Sequence, residues 1–232
     1  MQVKYESDMS PKEKRQAEIA KIRALSWTDK IVHMWSYHKV ILFSPVILAL
    51  FIWGSISFVQ NLRYEDVLNV AVSHGDMTLD RLTIVEELKQ NLGIESQYAE
   101  LFIDGSYFFS DMQDHNVIQK FVTKVAASAI DVFITDLVPY NHYHDAEFFK
   151  PLDLIFTQEE LDQLTIINGD AIDMTEYVEQ LTHFFGVHYT PVYFTVIGNV
   201  DLEQVNLGRY VRGDTIRELV FLLTGITPSV TR

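Results

Sequence analysis

Twenty consecutive residues, Val40 to Val59 (VILFSPVILALFIWGSISFV), carry no charge, and this run limits the possible folds more than any other feature. Wound into a helix, twenty residues reach about 30 Å, the depth of a bilayer's hydrocarbon core. Helices of soluble domains keep a polar face, and this stretch has none. Ser44, Pro45, Gly54, Ser55 and Ser57 interrupt the Ile, Leu, Val and Phe of the run, and Pro and Gly are tolerated in spanning helices. A buried helix of a soluble protein is one alternative. A cleaved signal peptide is another, suggested by the small-x-small pattern Ser55-Ile56-Ser57, but 39 residues precede the run, far more than a usual n-region. The expectation is an uncleaved single-pass anchor over residues 40–60.

Charge divides the chain at the same place. Met1 to Lys39 holds eight basic and five acidic residues, whereas Gln60 to Arg232 holds ten basic and 27 acidic. Cytoplasmic flanks of spanning helices carry the excess lysine and arginine, so residues 1–39 are expected inside and an acidic domain, 64–232, outside. Trp27, Trp35 and Tyr37 suit the inner aromatic belt, and Trp53 and Tyr64 the outer one. Ser10-Pro11 is a helix start. Ile19, Ile22 and Leu25 then recur at helical spacing among basic residues, predicting an amphipathic helix on the inner leaflet, with membrane lipid as its partner; a solvated leader that only sets topology is the alternative. A second start at Thr28-Asp29 leads into the span. The overall charge of −14 argues against nucleic acid as a partner. The chain has no cysteine, which removes disulfides, thiolate metal sites and cysteine nucleophiles together.

The outer 169 residues are enough for one domain with a core. Strands are predicted at Val67–Val72, Tyr98–Ile103, Ile130–Thr135 and His188–Ile197. Helices are predicted over Thr78–Leu92, Asp114–Ser128, Gln158–Leu164 and Thr215–Leu223, with Gly93 and Gly225 as stops. A polar stretch surrounds Asn168-Gly169-Asp170. Strand–helix alternation predicts an α/β fold with a mainly parallel or mixed sheet flanked by helices.

Ligands of open sheets sit beyond the carboxyl ends of the strands. Three loops fall there: Ser73-His74-Gly75-Asp76, Asp104-Gly105-Ser106 and Thr135-Asp136. Their candidate binding residues, Ser73, His74, Asp76, Asp104, Ser106 and Asp136, suit a cationic or amine-bearing ligand, and the same residues also serve ordinary turns. His142 and His144 form a His-x-His pair. On an extended segment its rings would share a side, and His183 or His188 would complete a zinc site; a solvated histidine-rich loop is the alternative. No HExxH, GxSxG or glycine-rich phosphate loop occurs. The pairs Glu86-Glu87 and Glu159-Glu160 are expected on solvated faces, and Tyr189, Tyr193 and Phe194 in sheet packing. No catalytic residue, cofactor or metal is expected.

Several segments carry a family resemblance. They are Asp29-Lys30-Ile31 with Trp35-Ser36-Tyr37-His38-Lys39, Val67-Leu68-Asn69-Val70-Ala71-Val72, Ile130-Asp131-Val132-Phe133-Ile134-Thr135-Asp136, and Phe149-Lys150-Pro151-Leu152 through Glu159-Glu160-Leu161. In these the chain resembles a group of membrane-anchored proteins of Gram-positive bacteria. The outer domain of that group is similar to one lobe of the extracytoplasmic solute-binding proteins of ABC transporters. The resemblance implies a periplasmic-binding-protein-like lobe and a membrane-protein partner such as a transporter permease. The expected function is that of a non-enzymatic accessory or binding protein at the cell surface. A solute-binding or sensing domain and a histidine-based surface metallohydrolase are the alternatives.

Overall fold

A computed structural model describes residues 9–61, 63–109 and 112–227. It divides into two units, Met1–Leu62 and Arg63–Arg232.

The first unit holds two helices. α1 (Pro11–Ala24) opens on a reciprocal capping box: the Ser10 hydroxyl accepts from the Glu13 backbone N–H, and the Glu13 carboxylate accepts from that of Ser10 at 2.8 Å. α2 (Trp27–Asn61) runs 35 residues through Pro45 and takes in the whole charge-free stretch. Its start lies one residue before the predicted Thr28, where the Ser26 hydroxyl accepts from the Asp29 backbone N–H. Among the described residues no helix is long and apolar enough to cross a membrane. The side chains described in the apolar stretch of α2 run from Phe43 to Val59, and none is buried.

The second unit is α/β, with a mixed six-stranded sheet flanked by helices. Its elements are β1 (Glu65–Ser73), α3 (Arg81–Asn91), β2 (Ala99–Tyr107), α4 (His115–Ala126), β3 (Val132–Thr135), α5 (Leu137–His144), α6 (Gln158–Leu161), β4 (Ile166–Ile167), β5 (Ala171–Asp173), α7 (Val178–Phe185), β6 (Tyr193–Val196), β7 (Val205–Asn206), β8 (Tyr210–Val211) and α8 (Arg212–Thr224). The sheet order is β2-β1-β3-β6-β5-β4. β1, β2 and β3 are parallel, β6 runs antiparallel to β3, and β5 and β4 continue antiparallel. β7 and β8 form a separate hairpin. The apolar run of β1 is buried from Val67 to Ser73, as befits a central strand covered on both faces. β2 alternates buried and more exposed residues along the sheet edge.

The differences from the sequence reading have local causes. The helix expected from Thr78 begins at Arg81, because Thr78 donates both its backbone N–H and its hydroxyl to Asp76, each at 2.8 Å. β2 continues four residues past Ile103, so Asp104, Gly105 and Ser106 belong to the strand rather than to a loop. The polar stretch is a hairpin: Asn168, Gly169 and Asp170 separate the paired Ile167 and Ala171, and Asn168 and Gly169 both have positive φ, 51° and 84°. α5 and α7 occupy segments for which no helix was expected. Glu160, expected in solvent, is fully buried: it accepts from Arg217 Nε at 3.0 Å and closes a capping box with Thr157.

Beneath the sheet Asp131 and Arg212 form a buried ion pair at 2.8 Å. The second Asp131 oxygen accepts from the Asn69 backbone N–H, and Arg212 also donates to the Asp66 carbonyl. On one flank the rings of Phe121, Phe133 and Tyr143 pack with centroids 4.5–6.2 Å apart.

Candidate functional site

β1 connects through α3 to β2 on one side, whereas the next connection, through α4, returns to β3 on the other. The carboxyl ends of β1 and β3 therefore flank the point where strand order reverses, the usual crevice of an open α/β sheet. Ser73 and His74 stand at the first end and Asp136 at the second.

The structure brings these three residues together. His74 Nε2 lies 3.6 Å from Asp136 Oδ2. Ser73 Oγ donates to the Tyr189 hydroxyl at 3.0 Å, and Tyr189 donates to the Ile134 carbonyl at 3.4 Å, so this phenol bridges the two strand ends. The His74 ring stands edge-on to Phe108 and Tyr189, at 5.8 Å and 6.2 Å between centroids. Phe108, Leu137 and Val138, on the segments that follow β2 and β3, are all exposed.

Close backbone contact fixes the loop that carries His74. A Cβ on Gly75 would lie 2.9 Å from Gly105 Cα, so the end of β1 rests directly on β2. His74 itself has a φ of 49°. On the other side Asp76 N donates to the Gly186 carbonyl at 3.0 Å, and any side chain on Gly186, at φ 66°, would strike Asp76.

Electrostatically the site is a half-satisfied acid. Asp136 Oδ1 is buried with no hydrogen-bond partner. Burial pushes the Asp136 carboxyl up, and His74 pulls it back. The residue precedes the first turn of α5, where the helix dipole favours negative charge. Burial also pushes the Tyr189 hydroxyl up, so it remains a donor. The Ser73 hydroxyl is spent on Tyr189 and not on His74. The arrangement therefore holds a partly buried carboxylate, with Oδ1 closed to solvent and Oδ2 beside the imidazole, next to exposed aromatic and aliphatic side chains.

The other candidates lie apart from this cluster. Asp104 and Ser106 face α4: Lys120 and Lys124 reach Asp104 Oδ2 at 3.1 Å and 3.0 Å, and Ser106 donates to Asp104 Oδ1. Burial pushes the Asp104 carboxyl up, but hydrogen bonds from Ser106, Lys124 and Lys120 outweigh it and hold the group well below the usual carboxylate range. With two ammonium groups already on it, Asp104 has little left for a cationic ligand. Asp76 serves Thr78 and stands 3.8 Å from His188 Nε2.

The histidine pair is not on an extended segment. His142 and His144 lie two residues apart in α5, which turns their side chains about 200° from one another. His142 is exposed and edge-on to Tyr143, whereas His144 Nδ1 meets Asp170 Oδ2 at 2.6 Å. His183 pairs with Glu87 at 3.1 Å. Among the described residues no group of three His, Asp or Glu is placed to hold a metal ion.

Sequence reading missed Tyr189 and Phe108. Tyr193 and Phe194 do pack in the sheet, Tyr193 against Tyr140 at 4.8 Å. Tyr189 lies four residues earlier, and nothing in its spacing reveals that it crosses to β1.

The chain matches no protein-family model, no curated protein and no solved structure.

Proposed function

We propose that this protein is a non-enzymatic accessory or binding protein, anchored in a membrane by α2, whose acidic α/β domain works outside the cytoplasm. It acts by contact with a membrane-protein partner such as a transporter permease or an envelope complex. One observation carries this reading: the charge-free run Val40–Val59 lies within a single unbroken helix whose described side chains are uncovered, between a basic and an acidic part of the chain. Large exposed apolar surface of this extent marks contact with lipid or with another protein, and twenty helical residues match a bilayer core. The resemblance to one lobe of an ABC-transporter binding protein belongs to the same proposal, and the mixed sheet is compatible with it.

The test has two parts. A tag at each end, with protease added to intact cells, should leave the N-terminal tag protected and the C-terminal one shaved. Purification in mild detergent should bring down a membrane protein with the full chain, and not with a chain lacking residues 1–63. Both tags in the soluble fraction would end the proposal.

A second reading, a solute-binding or sensing domain for an amine, is favoured by the partly exposed His74–Asp136 pair beside an apolar rim. It requires polyamines or amino acids to raise the thermal midpoint, with the rise lost in Asp136→Ala and kept in Asp104→Ala, whose carboxylate the lysines already hold.

A further inference from the structure

A different concavity lies where α5 meets the β4–β5 hairpin. It encloses about 610 Å³ and is walled by apolar groups, among them Phe149, Leu152 and Ile166; small-molecule sites commonly fall in this range. His144 and Asp170 line it as well. The hairpin turn supplies a relay that ends at the imidazole. Asn168 Nδ2 donates to the Tyr140 hydroxyl at 3.0 Å, Tyr140 donates to Asp170 Oδ1 at 2.9 Å, and Asp170 Oδ2 accepts from His144 Nδ1–H at 2.6 Å. Tyr140 is 1% exposed, stacked on Phe149 and, at 28° between planes, against the His144 ring. Burial pushes its hydroxyl up, which keeps it a donor and sets the direction of the chain.

When the ring is neutral, a carboxylate on Nδ1 fixes its tautomer and leaves the Nε2 lone pair as an acceptor. Nε2 of His144 has no partner among the described residues, and one third of the side chain is exposed. Glu147 and Asp153 line the same cleft with exposed side chains, and no lysine or arginine lines it. Three carboxylates without a cationic side chain repel anions, and the apolar wall excludes a wholly polar solute.

We propose that this cleft is a binding site for an organic amine on a compact apolar body, such as an arylalkylamine. The ammonium donates to His144 Nε2, Glu147 and Asp153 balance its charge, and the apolar body lies against Pro151, Leu161 and Ile166. The site is separate from the strand ends of β1 and β3 and does not depend on the function proposed above.

The test uses the purified full-length chain labelled with ¹⁵N-histidine and titrated with benzylamine, then with benzoate at the same pH and ionic strength. Benzylamine should shift the His144 ring nitrogens saturably and raise the thermal midpoint; benzoate should do neither. Glu147→Gln with Asp153→Asn changes only exposed side chains, and should weaken benzylamine about tenfold while leaving the midpoint of the free protein unchanged. Asp170→Asn should abolish the His144 response. Equal responses to benzylamine and benzoate, no shift of His144 on saturation, or full benzylamine affinity in the double carboxylate variant would each overturn the proposal.

Discussion

At Asp136 burial raises the folded-state pKa above that of the unfolded chain, and His74 at 3.6 Å only partly opposes it. A carboxyl shifted upward favours the protonated folded state, so above its folded pKa the ionised group weighs against folding, and the penalty fades as pH falls through that pKa. Asp136→Asn is therefore expected to raise the thermal midpoint at neutral pH, with the gain shrinking in acid; melting curves between pH 4 and 8 check this. Asp104 has the opposite sign. Its depressed pKa contributes stability that is present above the unfolded value of about 3.9 and lost as pH falls below it. Acid unfolding below about pH 4 should therefore be shallower in Asp104→Asn than in the parent chain. These two acids were equivalent in the sequence, each following an apolar run. Ser73, His74 and Asp136 were legible because they close strands whose ends are clear in the residue pattern. The separation of Asp104 from them was not, since it depends on lysines sixteen and twenty residues away on α4.

Elements with continuous or helix-periodic apolar patterns could be read directly, namely β1, α4 and α8, and the alternation of β2 gave its start but not its end. Those that depend on distant packing could not. α5 carries Leu-Val-Pro-Tyr-Asn-His-Tyr-His, a poor helix by intrinsic preference; Tyr140 and Tyr143, three residues apart, are both buried on it. The β4–β5 hairpin was signalled by Asn168-Gly169 between apolar pairs, yet its strands of two and three residues are too short for periodicity to register. Where elements meet, glycine decides. The end of β1 rests on β2 at Gly75 and Gly105, and a Cβ on Gly75 would meet backbone rather than a side chain that could turn away. Gly75→Ala is expected to cost about 1–3 kcal/mol and to displace His74 from Asp136. Denaturant unfolding and the His74 ring shifts check the two effects.

Across the α/β domain, the first strand and the last helix are tied together through one buried cation. Arg212, at the start of α8, holds both Asp131 before β3 and the backbone of Asp66 in β1. Arg212→Met would leave the Asp131 carboxylate buried beside a methyl group, and is expected to destabilise the domain by about 3–5 kcal/mol. Equilibrium unfolding in urea would measure this, and an unchanged midpoint would mean that the pair contributes nothing. Neither partner stood out in the sequence as a pair, for 81 residues separate them.

The length of α2 has a mechanical consequence. Thirty-five residues at about 1.5 Å each make a rod of roughly 52 Å, whereas a hydrocarbon core takes up about 30 Å. If the apolar run occupies the lipid, the surplus stands mainly on the side of Trp27, in one piece with the embedded part. Pro45 takes one rung from the ladder, and any bend should concentrate there. A thinner or thicker bilayer would then tilt the rod and swing the end that stands outside the lipid.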